Sequence, residues 1–249
     1  ISMDGPVPFA KLLRQRERRW KKIYDDYNIK TIYERFNETM KPVFDSNKIS
    51  PGTIFMKQLH ERIVYEINQN TFGDIETVVF SDSNTVGEGE FKILKHIKEN
   101  VTKKYTSCIY SIDGDLLILA MTLRRSHIYI FRESEDSKVF IDMSVCKKQI
   151  GEVFVNKRET THHQRIISDL CFLSLLGGND FVFPLIQFKI RDNGWSNILH
   201  IYSDYNVKHN KFIIKLNGDI DFDEFHNFLT IAMMYENNMV RYSKNKHRV

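Results

Sequence analysis

Cysteine is scarce: Cys108, Cys146 and Cys171 lie far apart, each among apolar neighbours. That spacing excludes a disulfide framework and a thiolate zinc site, and it suits a reducing interior. Long apolar runs are missing as well. No uninterrupted stretch reaches the roughly 18 apolar residues of a membrane span, and no secretory pattern is present. The chain therefore reads as soluble and intracellular, without a membrane partner, and nothing in it chooses between nucleus and cytoplasm. Internal repeats and low-complexity linkers are absent too, so no clean domain boundary is visible. The net charge of +4 is too small to name a partner.

What is present is an ordinary globular composition, 42% hydrophobic and 27% charged, with more Phe and Tyr than a disordered chain tolerates. At 249 residues it can bury a substantial core. The charge is unevenly placed. Between Lys11 and Lys22 there are seven Lys or Arg against one Glu, a cationic surface suited to a polyanion.

The opening ISMDG reads as the tail of a buried strand entering a turn, which leads us to expect an excised piece of a longer sheet. KLLRQRERRWKKIYDD has helix formers and no glycine, and a second helix is expected over 29–41. Ser50 and Pro51 of SPGT suggest a cap and first helical position for a helix reaching Asn68. ETVVF at 76–80 suggests a short strand, SDSNTVG a loop, and a helix begins near Glu88. SCIYSI, DGD and LLILAMTL repeat that order, followed by HIYIFRE as a further strand. Residues 134–160 read as a loop excursion with short strands, RIISDLCFLSLL as a buried helix ended by GGND. Helices are expected at 193–205 and 221–240 around a hairpin segment, FIIKL. Strand, acidic loop, helix, strand implies an α/β fold with its ligand site at the carboxyl ends of the strands.

Six acids follow or interrupt apolar runs: Asp4, Glu88, Glu90, Asp113, Asp115 and Asp180. Taken singly, each is well explained as a solvated loop residue or a helix cap. Asp113 and Asp115 point the same way if the strand exit is extended, and could then grip one cation. Glu88 and Glu90 enter a helix at i, i+2 and do not share a face. Oxygen donors without nearby Cys or His suit magnesium or manganese. Two such ions activate a water, position a phosphate and stabilise the departing oxygen. On a helical period Lys11, Gln15, Arg18 and Arg19 share an arc of about 100° and form one basic face.

These stretches, namely SMDGPVPFAKLLRQRERRWK, SPGTIFMKQL, GEGEFKI, YSIDGDLLILAM and DLCFLSLLGGNDFVFP, resemble the XRN-type 5′ to 3′ exoribonucleases of the flap endonuclease superfamily. The resemblance implies a PIN-like core, a central mostly parallel sheet flanked by helices, with a helical C-terminal part. It implies one nuclease domain over 1–249, truncated at its N-terminus, with a variable connection at 134–160 and a helical extension at 185–249. Asp4, Glu88, Glu90, Asp113, Asp115 and Asp180 match the metal-binding acids, shared between two Mg²⁺ ions, with Mn²⁺ as a substitute. Lys11, Gln15, Arg18 and Arg19 match the pocket for a 5′-monophosphate.

The implied activity is exonucleolytic release of nucleoside 5′-monophosphates from single-stranded 5′-monophosphorylated RNA. A flap endonuclease or DNA exonuclease of the same superfamily shares the acids and remains an alternative. So does an RNA-binding module with a decayed site. Asp169 is expected to serve as a cap or structural acceptor, Asn179 and Gly178 to shape the turn at Asp180, and Trp20 to pack. The Arg124–Arg125 pair is read either as a phosphate contact or as a solvated turn.

Overall fold

The computed structural model describes residues 1–154, 161–185, 188–189 and 193–246. The chain divides into two compact units, Ile1–Asn100 and Val101–Val249.

The first unit is built from three helices. α1 runs unbroken over Phe9–Arg35, because neither Gly nor Pro interrupts the segment where two helices were expected. It stops where Asn37 turns left-handed, at φ 51°. None of its residues is buried, and pairs such as Lys22–Asp26 and Lys30–Glu34 support its exposed faces. Trp20 is 63% exposed, so the packing role expected for it is not found. α2 spans Ile54–Asn68, and its cap is Thr53 rather than Ser50. The Thr53 hydroxyl accepts from the Met56 amide at 3.3 Å, while buried Ser50 and Pro51 belong to the preceding turn. α3 covers Gly89–Asn100 and buries Leu94 and Ile97.

The second unit opens with a strand–helix–strand unit. β1 (Ser107–Tyr110) leads through DGD into α4 (Asp115–Thr122), and β2 (Ile128–Glu133) returns parallel to β1. β3 (Lys138–Asp142) adds antiparallel to β2. Alternation decides the two faces: Ile109 and Ile130 are buried, while Tyr110, Phe131 and Phe140 line up on the other side. α5 (Met143–Phe154) occupies part of what reads as a loop. Its overlooked signal is Asp142, whose Oδ1 accepts from the Ser144 amide at 2.8 Å. The remainder of that connection, 155–160, lies outside the described residues.

α6 (Thr161–Leu173) continues into a 3-10 turn at Ser174–Gly177, and α7 (Gly194–His209) and α8 (Phe222–Lys246) follow. The FIIKL segment contributes a single bridge, Ile214 to Ile220. Leu170 and Leu173 of α6, Ile198 and Tyr202 of α7, and Phe228 of α8 meet in the principal core. No helix among the described residues is long and apolar enough to cross a membrane.

The expected α/β architecture is corrected by these findings. The chain is predominantly helical, and its described sheet is open and three-stranded, with one parallel and one antiparallel pairing. It is not a central, mostly parallel sheet flanked by helices. ETVVF shows why. It leads to Ser81, whose amide donates to Ile1 O at 3.0 Å and whose carbonyl accepts from Met3 at 2.9 Å. The pairing stops at a single Ser2–Ser81 bridge, because the chain turns away at Asp4 and Gly5 before a ladder can form.

Candidate functional site

The first unit holds Asp4, Glu88, Glu90 and the basic face of α1. Asp4 Oδ1 accepts from the Gly89 amide at 2.7 Å, which brings residue 4 to the turn that carries both glutamates. Gly5 N donates to Gly87 O at 2.9 Å, and Gly87 N to Pro6 O at 3.0 Å, so the two segments are stitched in both directions. Gly5 is required there: a Cβ at that position would lie 1.8 Å from Thr85 O.

Two residues that sequence reasoning overlooked organise the loop before this turn. Asp82 Oδ1 accepts from the Asn84 and Thr85 amides at 3.2 and 3.1 Å, an Asx turn. Hydrogen bonds, with the Asn84 side chain foremost, hold its carboxyl below the usual range. Lys92 donates to Met3 O at 2.9 Å and to Asp82 O at 2.8 Å, so one ammonium clamps both segments. Burial pulls the Lys92 pKa down, against attraction from Asp82 and Asp4.

Glu88 is 5% exposed and forms an ion pair with Lys11. Glu90 is half-buried in the first turn of α3. Gln15 and Arg19 are half-buried and Arg18 is exposed, on the first turns of the same helix as Lys11. A hollow of about 570 Å³ at the other end of α1, lined by Tyr27, Lys30, Tyr33 and Met40, includes none of the candidate residues. At 1.5 Å per residue, Lys30 is about 28 Å along the axis from Lys11, too far to share one nucleotide.

The second unit holds Asp113, Asp115 and Asp180. The DGD exit is not extended but winds directly into α4, with Asp115 as its first residue. Asp113 Oδ1 accepts from the Asp115 amide at 2.9 Å, and its own amide donates to Ser111 Oγ at 3.0 Å. Asp113 thus closes an Asx turn leading into α4, whose cap position is Gly114 without a side-chain cap bond, and both carboxylates are exposed. Asp180 is half-buried in the turn after the 3-10 segment. Asn179 shapes that turn as expected, its Oδ1 accepting from the Phe181 and Val182 amides, both at 2.9 Å. Gly178 has φ 80°.

Asp169 lies within α6 and is fully buried. It accepts from Tyr202 OH at 2.7 Å and from the Ile213 and Ile214 amides at 3.0 and 2.7 Å. Burial pushes its carboxyl up to about 6 despite those donors. This is the expected structural acceptor, joining α6, α7 and the FIIKL segment. Arg125 donates to Val101 O, which gives that arginine a structural role.

Residues 1–134 match the family described as XRN 5′-3′ exonuclease N-terminus, and residues 160–249 match the Xrn1 helical domain. The chain belongs to the XRN 5′-3′ exonuclease family. It is 32% identical to human 5′-3′ exoribonuclease 1 over 76% of this chain and 13% of that protein. It is 26% identical to 5′-3′ exoribonuclease 2 of Arabidopsis thaliana, over 95% of this chain and 30% of that protein. With 5′-3′ exoribonuclease 1 of Saccharomyces cerevisiae the identity is 25%, over 95% of this chain and 17% of the yeast protein. The chain thus spans less than a third of each of these relatives.

A divalent cation is implied by that family. The donor set fits in chemistry, being entirely carboxylate, and buried Glu88 already takes a cationic partner. Convergence is not reached: among the described residues no three His, Cys, Asp or Glu gather into a group able to hold a metal ion. Asp4 meets the glutamate turn through the Gly89 backbone.

Proposed function

We propose that the chain is the catalytic region of a Mg²⁺-dependent 5′ to 3′ exoribonuclease that releases nucleoside 5′-monophosphates from 5′-monophosphorylated single-stranded RNA by two-metal in-line hydrolysis. The observation that carries this reading is the Lys11–Glu88 ion pair, which sets the basic face of α1 against the acidic turn within one unit. The names of the relatives, all 5′-3′ exoribonucleases, support the polarity and the RNA substrate.

In this reading Lys11, Gln15, Arg18 and Arg19 bind the terminal phosphate and orient the first nucleotide by charge-assisted contacts. Asp4, Glu88, Glu90, Asp113, Asp115 and Asp180 hold the cations, shared between two sites as the family resemblance implies. Bound magnesium supplies charge neutralisation at the scissile phosphate. The turn held by Lys92 and Asp82 keeps Glu88 and Glu90 in place without rearrangement at the moment of reaction. The same proposal keeps 1–249 as one nuclease domain, with 134–160 as a variable connection and 185–249 as a helical extension.

A second reading is an RNA-binding module without catalysis, which the basic face of α1 would serve equally well. One assay separates the two. The chain is incubated with 5′-labelled, 5′-monophosphorylated RNA with and without Mg²⁺, beside the same RNA carrying a 5′-triphosphate and a matched DNA strand. Labelled mononucleotide released only with Mg²⁺ and only from monophosphorylated RNA is the expected result. RNA binding without release supports the binding module, and faster digestion of DNA transfers the reading to the DNA exonuclease alternative.

A further inference from the structure

We infer that Lys11 and a divalent cation compete for Glu88, so that cation loading and terminal-phosphate binding are coupled through the Lys11 side chain. The inference rests on the reading of Glu88 as a cation ligand and Lys11 as a phosphate contact given above.

Its basis is burial. The side chains of Lys11 and Glu88 are 13% and 6% exposed. A carboxylate so enclosed requires a counter-charge, and the lysine ammonium provides it from the first turn of α1. Glu88 is also fixed in place. It immediately precedes Gly89, whose amide is held by Asp4, and its carbonyl accepts from the Lys92 amide at 3.1 Å. The backbone that carries the carboxylate is thus held and the glutamate side chain has the shorter reach, whereas the lysine stem is long and flexible. When a second cation arrives, Lys11 is therefore the group that moves.

The consequence for phosphate follows from charge. While Lys11 neutralises Glu88, a terminal phosphate at Lys11 approaches a buried carboxylate of its own sign and shares a single positive charge with it. A divalent cation at Glu88 removes that repulsion and releases the ammonium to the phosphate. Linkage makes the effect reciprocal: phosphate at Lys11 strengthens cation binding by the same factor. Removing Lys11 therefore acts in opposite directions on the two ligands. It weakens phosphate binding and strengthens cation binding, because Glu88 is left uncompensated. A lysine that met phosphate at a distance from Glu88 would leave the cation affinity unchanged.

The test uses calorimetric titration of the 249-residue chain and of Lys11→Met, which keeps the length of the stem. Mg²⁺ is titrated into each, and AMP, which contains no phosphodiester bond to cleave, is titrated into the unaltered chain at zero and saturating Mg²⁺, with adenosine as control. We expect Lys11→Met to bind Mg²⁺ about tenfold more tightly, and Mg²⁺ to raise the AMP affinity of the unaltered chain about tenfold without changing that for adenosine. Equal or weaker Mg²⁺ binding by a folded Lys11→Met overturns the inference while leaving the magnesium reading intact. If Lys11→Met fails to fold, the AMP titrations decide, and an AMP affinity indifferent to Mg²⁺ overturns the inference. An unaltered chain that takes up no Mg²⁺ at all refutes the metal reading, and the inference with it.

Discussion

Asp4 and Gly89, 85 positions apart, are joined by one hydrogen bond of 2.7 Å from the Gly89 amide to the Asp4 carboxylate. An acid proposed to hold a cation thus also fastens the turn bearing two others. Substitution can separate these duties. Asp4→Asn keeps an oxygen that accepts from the amide, so the melting temperature should stay within a few degrees while nucleotide release falls by about 10²-fold or more. Asp4→Ala should lose the same activity and additionally about 1–2 kcal/mol of stability in urea titration. Full activity in a stable Asn variant would leave Asp4 with a structural role alone.

Asp113 carries a similar double duty, since its Oδ1 accepts from the Asp115 amide at the start of α4. Asn can close the same Asx turn, and Ala cannot. We expect Asp113→Asn to match the unaltered chain in chemical denaturation and Asp113→Ala to lose about 1 kcal/mol. Both should be inactive in the release assay. An active Asn variant would mean that the charge at residue 113 is dispensable.

Gly178 opens the turn that carries Asp180, from a backbone region that L side chains rarely adopt, φ 80°. A Cβ there would also lie 2.6 Å from Pro184. Gly178→Ala should cost about 1–3 kcal/mol and reduce release through misplacement of Asp180. The check is a paired measurement of urea midpoint and turnover. An unchanged midpoint would show that the turn tolerates the methyl.

Asp169 predicts an unusual pH dependence. Its folded pKa, about 6, stands above the ordinary 3.8 because of burial. A raised folded value makes the contribution to stability fully present below 3.8 and lost as pH rises through about 6. Relative to Asp169→Asn, the unaltered chain should therefore gain about 1–2 kcal/mol between pH 7.5 and 5. Glu224 works in the other direction. Burial raises it, but hydrogen bonds from Lys211, Tyr205 and Asn227 prevail and lower its pKa below the ordinary 4.5. Its contribution is present above 4.5 and lost as pH falls through the folded value, outside the window used for Asp169. A relative loss for the unaltered chain between pH 7.5 and 5 would refute the assignment.

Much of the site was legible because its local chemistry is written in short stretches. The basic residues spaced for one helical face do lie on α1, GEGE does open α3, and GGND does form a turn shaped by Asn179. The misreadings share a cause. ETVVF has the composition of a strand, but a strand requires a partner, and the one available beside Ser81 turns away after a single bridge. Asp142 falls in the stretch read as a loop excursion although it caps α5, since a cap is recognised by the helix that follows it.

The sequence by itself determined most of the helices, though not α5 or the unbroken length of α1, together with the strand–turn–helix unit around Asp113 and which side chains are chemically able to meet phosphate or cation. Those properties depend on periodicity, capping and residue type over a few positions, where local interactions dominate. Only the tertiary structure decided that Lys11 neutralises Glu88, that Asp4 holds the Gly89 amide, that Lys92 ties Met3 to Asp82, and that the sheet stays at three strands. Each of these joins residues distant in the chain or depends on such pairing. Their energies come from burial and from geometry that no local window contains.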